Sequence, residues 1–180
     1  VSVPVSTAAL EADAIINMPK IKAHQQLTAT LAVKNMFGTV CGKRKAWLHF
    51  SCGSGEERFC KMLIDIYRLL KPVFSVIDGI DIMEGAGPIR GRARPMGWLV
   101  AGEDPVACEV VCCDLLGLDV LQLPIVRAAA AAGFGCSCRD QISLYGDNFD
   151  GPQIDNFLVP EIVPIRFSLP RVCRSAVRQF

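Results

Sequence analysis

The sequence predicts an α/β domain in which a mainly parallel or mixed sheet is flanked by helices. Three observations predict this class. With 180 residues, of which 51% are hydrophobic, the chain can bury a sizeable core. Short apolar runs of strand length alternate along it with longer segments of helical periodicity. The short runs are apolar at consecutive positions, as expected of strands that are covered on both faces.

The first elements are predicted to be a buried strand, a basic loop and a helix. Residues 12–18 form a short apolar run that ends at Pro19, which is typical of a strand. Residues 20–26 are polar and basic and are predicted to form a loop. Residues 27–37 fit a helix that is closed by Gly38.

A second helix is predicted to begin at a capping box, in which Ser54 caps the helix and Glu57 lies three residues later. This helix stops at Pro72, and a strand over residues 73–77 follows. Six apolar residues repeat on one face of the helix: Phe59, Met62, Leu63, Ile66, Leu69 and Leu70. Such a face is typical of an amphipathic helix.

A Gly-rich acidic loop with Asp78, Asp81 and Glu84 is predicted next, followed by a buried strand over residues 96–101. Three carboxylates in one loop are compatible with a cation site, although their spacing is not that of an EF-hand. Acidic residues are also common in solvated turns, so both interpretations stay open for this loop.

The last elements are two helices and a strand. Asp104 and the proline after it begin a largely apolar helix that ends at Gly117. A further helix runs from Pro124 through an alanine run to Gly133, and residues 142–145 form a last short strand. Functional groups of such sheets gather in loops at the carboxyl ends of the strands, which is where a site is expected.

Charge is distributed unevenly along the chain. The net charge is only +1, from 19 basic and 18 acidic residues, which argues against a uniformly basic nucleic-acid-binding protein. However, no acidic residue lies between Asp13 and Glu56. This window holds six cations and both histidines of the chain: Lys20, Lys22, Lys34, Lys43, Arg44, Lys45, His24 and His49. The cluster predicts a site for a small anionic ligand.

Other classes of protein are excluded by composition. No apolar run reaches the length of a membrane span, and no signal peptide is seen, which predicts a cytoplasmic protein without a membrane partner. Nine cysteines occur without a C-x-x-C pair, so they are expected to be reduced thiols and not ligands of an iron–sulfur cluster. The basic window has few aromatic residues for base stacking, so no nucleic-acid partner is expected.

Basic side chains at alternate positions follow the first strand. In an extended backbone Lys20, Lys22 and His24 project to one side, so they either converge on one ligand or form a solvated surface. Lys34 lies on the apolar face of the next predicted helix, where its amine either snorkels to solvent or is desolvated. A desolvated lysine has a lowered pKa and acts as a nucleophile or base. His24 and His49 are of the residue type that serves as a neutral-pH base or metal ligand.

Five ordered motifs resemble the DUF362 family. They are ADAIINMPKIKAH at residues 12–24, AVKNMFG at residues 32–38, the histidine at position 49, EGAGPIRG at residues 84–91 and AGEDPVACE at residues 101–109. The resemblance implies a DUF362-like domain over residues 1–160 whose amino-terminal part is missing. A basic tail or linker over residues 161–180 would follow, and the chain would be a fragment of a longer protein.

The function that this resemblance implies is not settled. Members of the family are often joined to a domain with paired four-iron–four-sulfur clusters, which implies redox chemistry. For this chain it implies a 4Fe–4S cluster in a module outside the chain and a ferredoxin-like iron–sulfur partner. A weaker similarity is to the nickel-pincer lactate racemases, in which a histidine, a lysine that carries the cofactor and another histidine follow in the order of His24, Lys34 and His49. Those enzymes have a Gly-rich stretch before the lysine, which this chain lacks.

Three functions are therefore considered. The first is a redox-linked protein that binds a small anionic ligand or cofactor, with His24, Lys34 and His49 as the catalytic residues. Its predicted ligand-binding residues are Lys20, Lys22, Asn35, Asp78, Glu84 and Asp104. The second is a nickel-type, metal-dependent isomerase or racemase in which His24 and His49 bind the metal. The third is a non-enzymatic accessory domain, so whether the protein is an enzyme stays open.

Overall fold

The structure, a computed structural model, describes residues 2–42, 45, 48, 56–87 and 90–161. It consists of a sheet flanked by helices, which confirms the predicted α/β class. The strands of the described residues are β1 (Ile16–Asn17), β2 (Lys20–His24), β3 (Thr28–Thr30), β4 (Phe74–Ala86) and β5 (Arg90–Gly102). Parallel and antiparallel pairs both occur, so the sheet is mixed.

Strand β4 is the centre of the sheet. β5 pairs antiparallel with it along nearly its whole length, while β1 and β2 pair parallel with its other edge. β3 extends the sheet by pairing antiparallel with β2. Ile16 lies opposite Phe74 and Lys20 opposite Asp78 in one unbroken register. β1 and β2 are therefore one strand path, interrupted near Pro19, which has no N–H to donate to a ladder.

The described helices are α1 (Thr7–Leu10), α2 (Ala32–Asn35), α3 (Glu56–Leu70), α4 (Pro105–Leu116) and α5 (Pro124–Ala131), with short 3₁₀ turns at Met36–Thr39, Val120–Gln122 and Arg139–Gln141. Helix α4 begins as predicted, because Oδ1 of Asp104 accepts the N–H groups of Val106 (2.8 Å) and Ala107 (3.1 Å). It ends at Gly117, whose φ of +65° suits a glycine cap. No helix of the described residues is long and apolar enough to cross a membrane.

The core lies between one face of the sheet and the helices. The sheet contributes Ile77 and Ile82 from β4, which are fully buried. Helix α4 packs on β4 and β5, and α3 packs on α5. Because α4 is buried on nearly all sides, its sequence is almost uniformly apolar.

Residues 12–37 differ from the sequence prediction. The strand over residues 12–18 is reduced to β1, and Ile16 and Met18 are exposed by 63% and 71%, because no helix of the described residues covers that face of the sheet. Residues 20–24 of the predicted loop instead form strand β2, and residues 25–26 lie in the turn that follows it. The predicted helix over residues 27–37 divides into β3 and the short α2, because β3 pairs with β2, and local periodicity does not report that contact.

The second half of the sheet also differs from the prediction. The acidic loop is a continuation of β4 to Ala86, because β5 pairs with it residue by residue. The strand over residues 96–101 belongs to β5. No strand of the described residues pairs with its outer edge, and β5 is half exposed, not buried. Residues 142–145 form no strand, and Leu69 of α3 is exposed. Ser54 of the predicted capping box lies outside the described residues.

Candidate functional site

Helix α2 is held in place by side chains from two other segments of the chain. With four residues it is too short to be stable by itself. Oε1 of Glu109 in α4 accepts the N–H of Val33 at 2.8 Å, and Nδ2 of Asn17 in β1 donates to the carbonyl of Ala32 at 2.9 Å. Asn35 at the end of the helix donates to Oδ1 of Asn17 at 2.8 Å. Three of the ordered motifs therefore meet at this helix.

A chain of buried hydrogen bonds continues inward from Asn17. Its Nδ2 also donates to Oγ of Ser75 at 3.3 Å, and Oγ of Ser75 lies 3.0 Å from the hydroxyl of Tyr67 in α3. Asn17, Ser75 and Tyr67 are almost completely buried. Because the side chains in this series of hydrogen bonds all have partners, the network fixes α2 relative to β1, β4 and α3.

Lys34 lies on α2 and reaches toward the β2–β3 hairpin. Its Nζ donates to Oγ1 of Thr30 at 3.1 Å. Thr30 lies directly opposite Lys22 in the hairpin, so both side chains are on the same face. Burial, followed by the positive charge of Lys22, lowers the pKa of Lys34 from 10.5 to about 8. A pKa of that value leaves roughly a tenth of the amine neutral at pH 7.

The two lysines have no acidic partner. The structure describes all 18 acidic residues of the chain, and none of them forms an ion pair with Lys22 or Lys34. We refer to Lys22, Thr30 and Lys34 together as the Lys22–Lys34 site. Its uncompensated positive charge is the electrostatic condition for binding an anion.

His24 ends the same strand as Lys22, two residues later, and shares its face. It is buried, and its Nδ1 accepts the N–H of Gln26 at 3.1 Å. A neutral ring with this bond carries its proton on Nε2. Opposite His24 lies Thr28, whose φ of +62° is strained for a β-branched residue and whose hydroxyl donates to the carbonyl of Gln122 at 2.8 Å.

Lys20 is arranged differently from the other two lysines of the predicted cluster. Its Nζ forms an ion pair with Asp78 at 2.7 Å and donates to the carbonyl of Asp81 at 3.0 Å. The hydrogen bond from Lys20 holds the pKa of Asp78 below its usual range. The structure therefore brings Lys20 and Asp78 together as partners of each other, and their predicted roles as ligand-binding residues stay predictions.

Glu84 and Asp104 have scaffold contacts. Glu84 is buried and forms ion pairs with Arg92 (2.7 Å) and Arg94 (3.1 Å) of β5. It follows Met83, the register partner of Lys22, so it lies on the opposite face of the sheet from Lys22. Besides capping α4, Asp104 accepts the N–H of Cys136 at 2.7 Å through its second oxygen. Ligand binding by Glu84 and Asp104 is untested by these contacts.

A glycine of the EGAGPIRG motif explains how the end of β4 approaches the hairpin. A Cβ atom on Gly87 would lie 2.1 Å from the carbonyl oxygen of Ala23, so the backbones meet closely only with glycine at this position. Ala23 lies between Lys22 and His24. This motif therefore supports the strand that carries the candidate site.

The predicted metal site is incomplete in the described part of the chain. His49 lies outside the described residues, as do Lys43 and Arg44. Among the described residues no group of three or more His, Cys, Asp and Glu side chains is arranged to hold a metal ion. Metal binding by His24 and His49 stays a prediction.

Glu109 and Asn17 were not among the predicted site residues. Glu109 is only 1% exposed, and within the described residues Oε1 alone has a hydrogen-bond partner. Burial raises the pKa of Glu109 to about 8 against the effect of the Val33 N–H, and the charge of Asp104 raises it further. A glutamate within an apolar helix is the sequence signal that identifies such a group.

Comparisons with known proteins agree with the motifs that meet at α2. The thylakoid-associated protein sll1697 of Synechocystis sp. is 39% identical over 176 residues, which are 97% of this chain and 54% of that protein. The chain thus spans about half the length of this curated relative. No solved structure matches the chain. The family model described as "Domain of unknown function (DUF362)" matches residues 1–114, which include α2 and the side chains that hold it. The chain therefore belongs to the DUF362 family.

Proposed function

We propose that the protein binds a small anionic ligand or cofactor at the Lys22–Lys34 site. The observation that carries this proposal is that Lys34 donates to Thr30, the cross-strand partner of Lys22, while neither lysine forms an ion pair with an acidic residue of the chain. Two like charges held near each other destabilise the folded protein. An anion between them removes that repulsion and replaces it with two favourable charge interactions.

The rigid support of α2 strengthens this proposal. Glu109, Asn17 and Asn35 hold the helix by hydrogen bonds, so the position of Lys34 is set before a ligand arrives. A preorganised cation binds an anion more tightly because less conformational freedom is lost on binding. His24, on the same face of β2, is the group that we propose for proton transfer to the bound ligand.

Binding at this site is linked to the protonation of Lys34. The pKa of Lys34 is about 8 without a ligand, and a nearby anion raises it toward its ordinary value. Anion binding between about pH 8 and 10 is therefore accompanied by proton uptake. This linkage distinguishes the Lys22–Lys34 site from a solvated basic surface.

The wider parts of the functional hypothesis depend on family resemblance. The resemblance favours a redox-linked role, in which the protein works with a ferredoxin-like iron–sulfur module. The nickel-type isomerase and the accessory domain remain predictions from the sequence. The cytoplasmic location also stays a prediction, and the name of the Synechocystis relative adds the thylakoid as a second location to examine.

Titration with inorganic phosphate and with propionate tests the proposal. We expect calorimetry to detect binding to the wild-type chain, and NMR of lysine side chains to show a rise in the pKa of Lys34. Lys34→Met should weaken binding about tenfold or more. Lys61→Met is the matched control, because Lys61 is exposed and pairs with Asp65 at 3.1 Å. Equal affinities in wild type and Lys34→Met would refute the proposal.

A further inference from the structure

Lys34 has the surroundings of a reactive amine. We propose that the ligand of the Lys22–Lys34 site is a small aldehyde or ketone that carries an anionic group, and that Lys34 binds its carbonyl carbon covalently as an imine. This inference rests on the proposed function, since it names the chemical class of the same ligand. It adds a covalent step that simple anion binding does not require.

The geometry separates two tasks between the two lysines. Nζ of Lys34 is held at 3.1 Å from the hydroxyl of Thr30, and Lys22 lies opposite Thr30 in the neighbouring strand. A carboxylate or phosphate group of the ligand is therefore expected to contact Lys22 as a point charge. Its carbonyl carbon then lies toward Lys34, so one small molecule spans both groups.

Burial and a neighbouring cation are the two causes that activate a lysine as a nucleophile. Both act on Lys34, where they lower its pKa to about 8. When the amine is neutral, the hydroxyl of Thr30 can donate to its lone pair, and when it is charged the same oxygen accepts. Thr30 thus holds the nitrogen in place in both protonation states.

The reaction is balanced without any oxidant or reductant. The neutral amine attacks the carbonyl carbon, a carbon–nitrogen bond forms, and the carbonyl oxygen takes up a proton to give a carbinolamine. The carbon–oxygen bond then breaks, and the oxygen leaves as water with the two hydrogens that the nitrogen has lost. The product is an imine between Nζ of Lys34 and the ligand carbon.

Reductive trapping with pyruvate tests this inference. The full chain is incubated with pyruvate and sodium cyanoborohydride, which converts an imine to a stable secondary amine, and peptides are then analysed by mass spectrometry. We expect an adduct on Lys34, at least tenfold more abundant than on the exposed Lys61 of the same sample. Its yield should rise with pH toward about 8, as the neutral fraction of Lys34 grows.

Lys34→Arg is the informative variant, because it keeps the positive charge but cannot form the imine. We expect it to bind inorganic phosphate and to give no adduct at position 34. Wild-type protein that binds phosphate but forms no adduct on Lys34 overturns the imine and leaves the proposed function intact. Wild-type protein that binds neither phosphate nor pyruvate overturns the proposed function itself. The comparison of Lys34 with Lys61 needs no variant, so it decides the question even if Lys34→Arg does not fold.

Discussion

Buried carboxylates have opposite surroundings in two regions of the molecule, the β4–β5 pair and the surroundings of α2. On β4, the carboxylate of Glu84 is fully buried and is neutralised by Arg92 and Arg94. Although burial alone would raise it, these contacts keep the pKa of Glu84 below its usual range. Beside α2, Glu109 is equally buried but forms no ion pair with any cation of the described residues, and burial raises its pKa to about 8.

The lysines repeat this contrast. Lys20 pairs with Asp78 on the β4 side, whereas Lys34 on α2 faces Lys22 and no carboxylate. This contrast separates the charges of the scaffold from the others, because a scaffold charge is compensated within the fold. Uncompensated charge costs stability, and proteins keep it mainly where a ligand or a reaction uses it.

Removal of the ionisable group of Glu109 should change the stability of the protein most. Its pKa is about 8 in the folded protein and 4.5 ordinarily, so the folded state holds more protons between these values. Stability therefore falls as pH rises from about 4.5 to about 8. Glu109→Gln cannot ionise, and we expect it to be more stable than wild type by about 4–5 kcal/mol above pH 8.

Urea unfolding at about pH 5, 7 and 9 measures this difference. The free energy of unfolding of Glu109→Gln should change less with pH than that of wild type. The glutamine still offers an oxygen to the N–H of Val33, so the support of α2 is retained. Parallel pH profiles for the two proteins would show that Glu109 is ionised in the fold, and the contrast with Glu84 would be lost.

Glu84→Gln tests the region in which the buried carboxylate is neutralised by arginines. The change leaves Arg92 and Arg94 without their carboxylate, and we expect the free energy of unfolding to fall by about 2 kcal/mol. Arg92→Gln should cost less than about 1 kcal/mol, since the side chain of Arg92 is 68% exposed. Urea unfolding at neutral pH compares both variants with wild type. A stabilised Glu84→Gln would contradict the scaffold role.

Lys34→Met is expected to have a smaller effect on stability, with the opposite sign to that of Glu84→Gln. The pKa of Lys34 is about 8 in the fold and 10.5 ordinarily, so the unfolded state holds more protons between these values. Wild-type stability therefore rises with pH from about 8 to about 10.5, and the penalty is complete below that window. At pH 7 Lys34→Met should be about 1–2 kcal/mol more stable than wild type. Thermal unfolding at neutral pH measures the difference, and a destabilised variant would assign Lys34 to the scaffold.

Local chemistry explains which elements could be predicted from the sequence. The ends of α4 follow from Asp104 and Gly117, because capping depends on neighbouring residues. The basic cluster with Lys22 and Lys34 was also predictable, since it appears as a window without acids. The sequence of residues 27–31 fits a helix as well as a strand. Residues 28–30 form a strand because they pair with β2.

Non-local contacts explain what the sequence could not predict. Asp78 and Glu84 resemble loop residues until β5 and β2 supply the cations that pair with them. Lys20 cannot be separated from Lys22 in the sequence, because the difference is the ion pair with Asp78. The importance of Asn17 follows only from its bond to α2. Glu109 stands out in the sequence of an apolar helix, but its partner on α2 does not.

Asn35 joins α2 to the buried network, and its substitution should change stability less than the substitutions above. Asn35→Ala removes the hydrogen bond to Asn17, and we expect a loss of about 1 kcal/mol in the free energy of unfolding. The same change should loosen the end of α2 and reduce trapping of pyruvate on Lys34 by more than its effect on stability explains. Gln153→Ala, which removes only a local bond to Gly151, is the control for loss of a side-chain amide. If both variants trap pyruvate equally, α2 does not need Asn35 to position Lys34, and the preorganisation of the site rests on Glu109 and Asn17 alone.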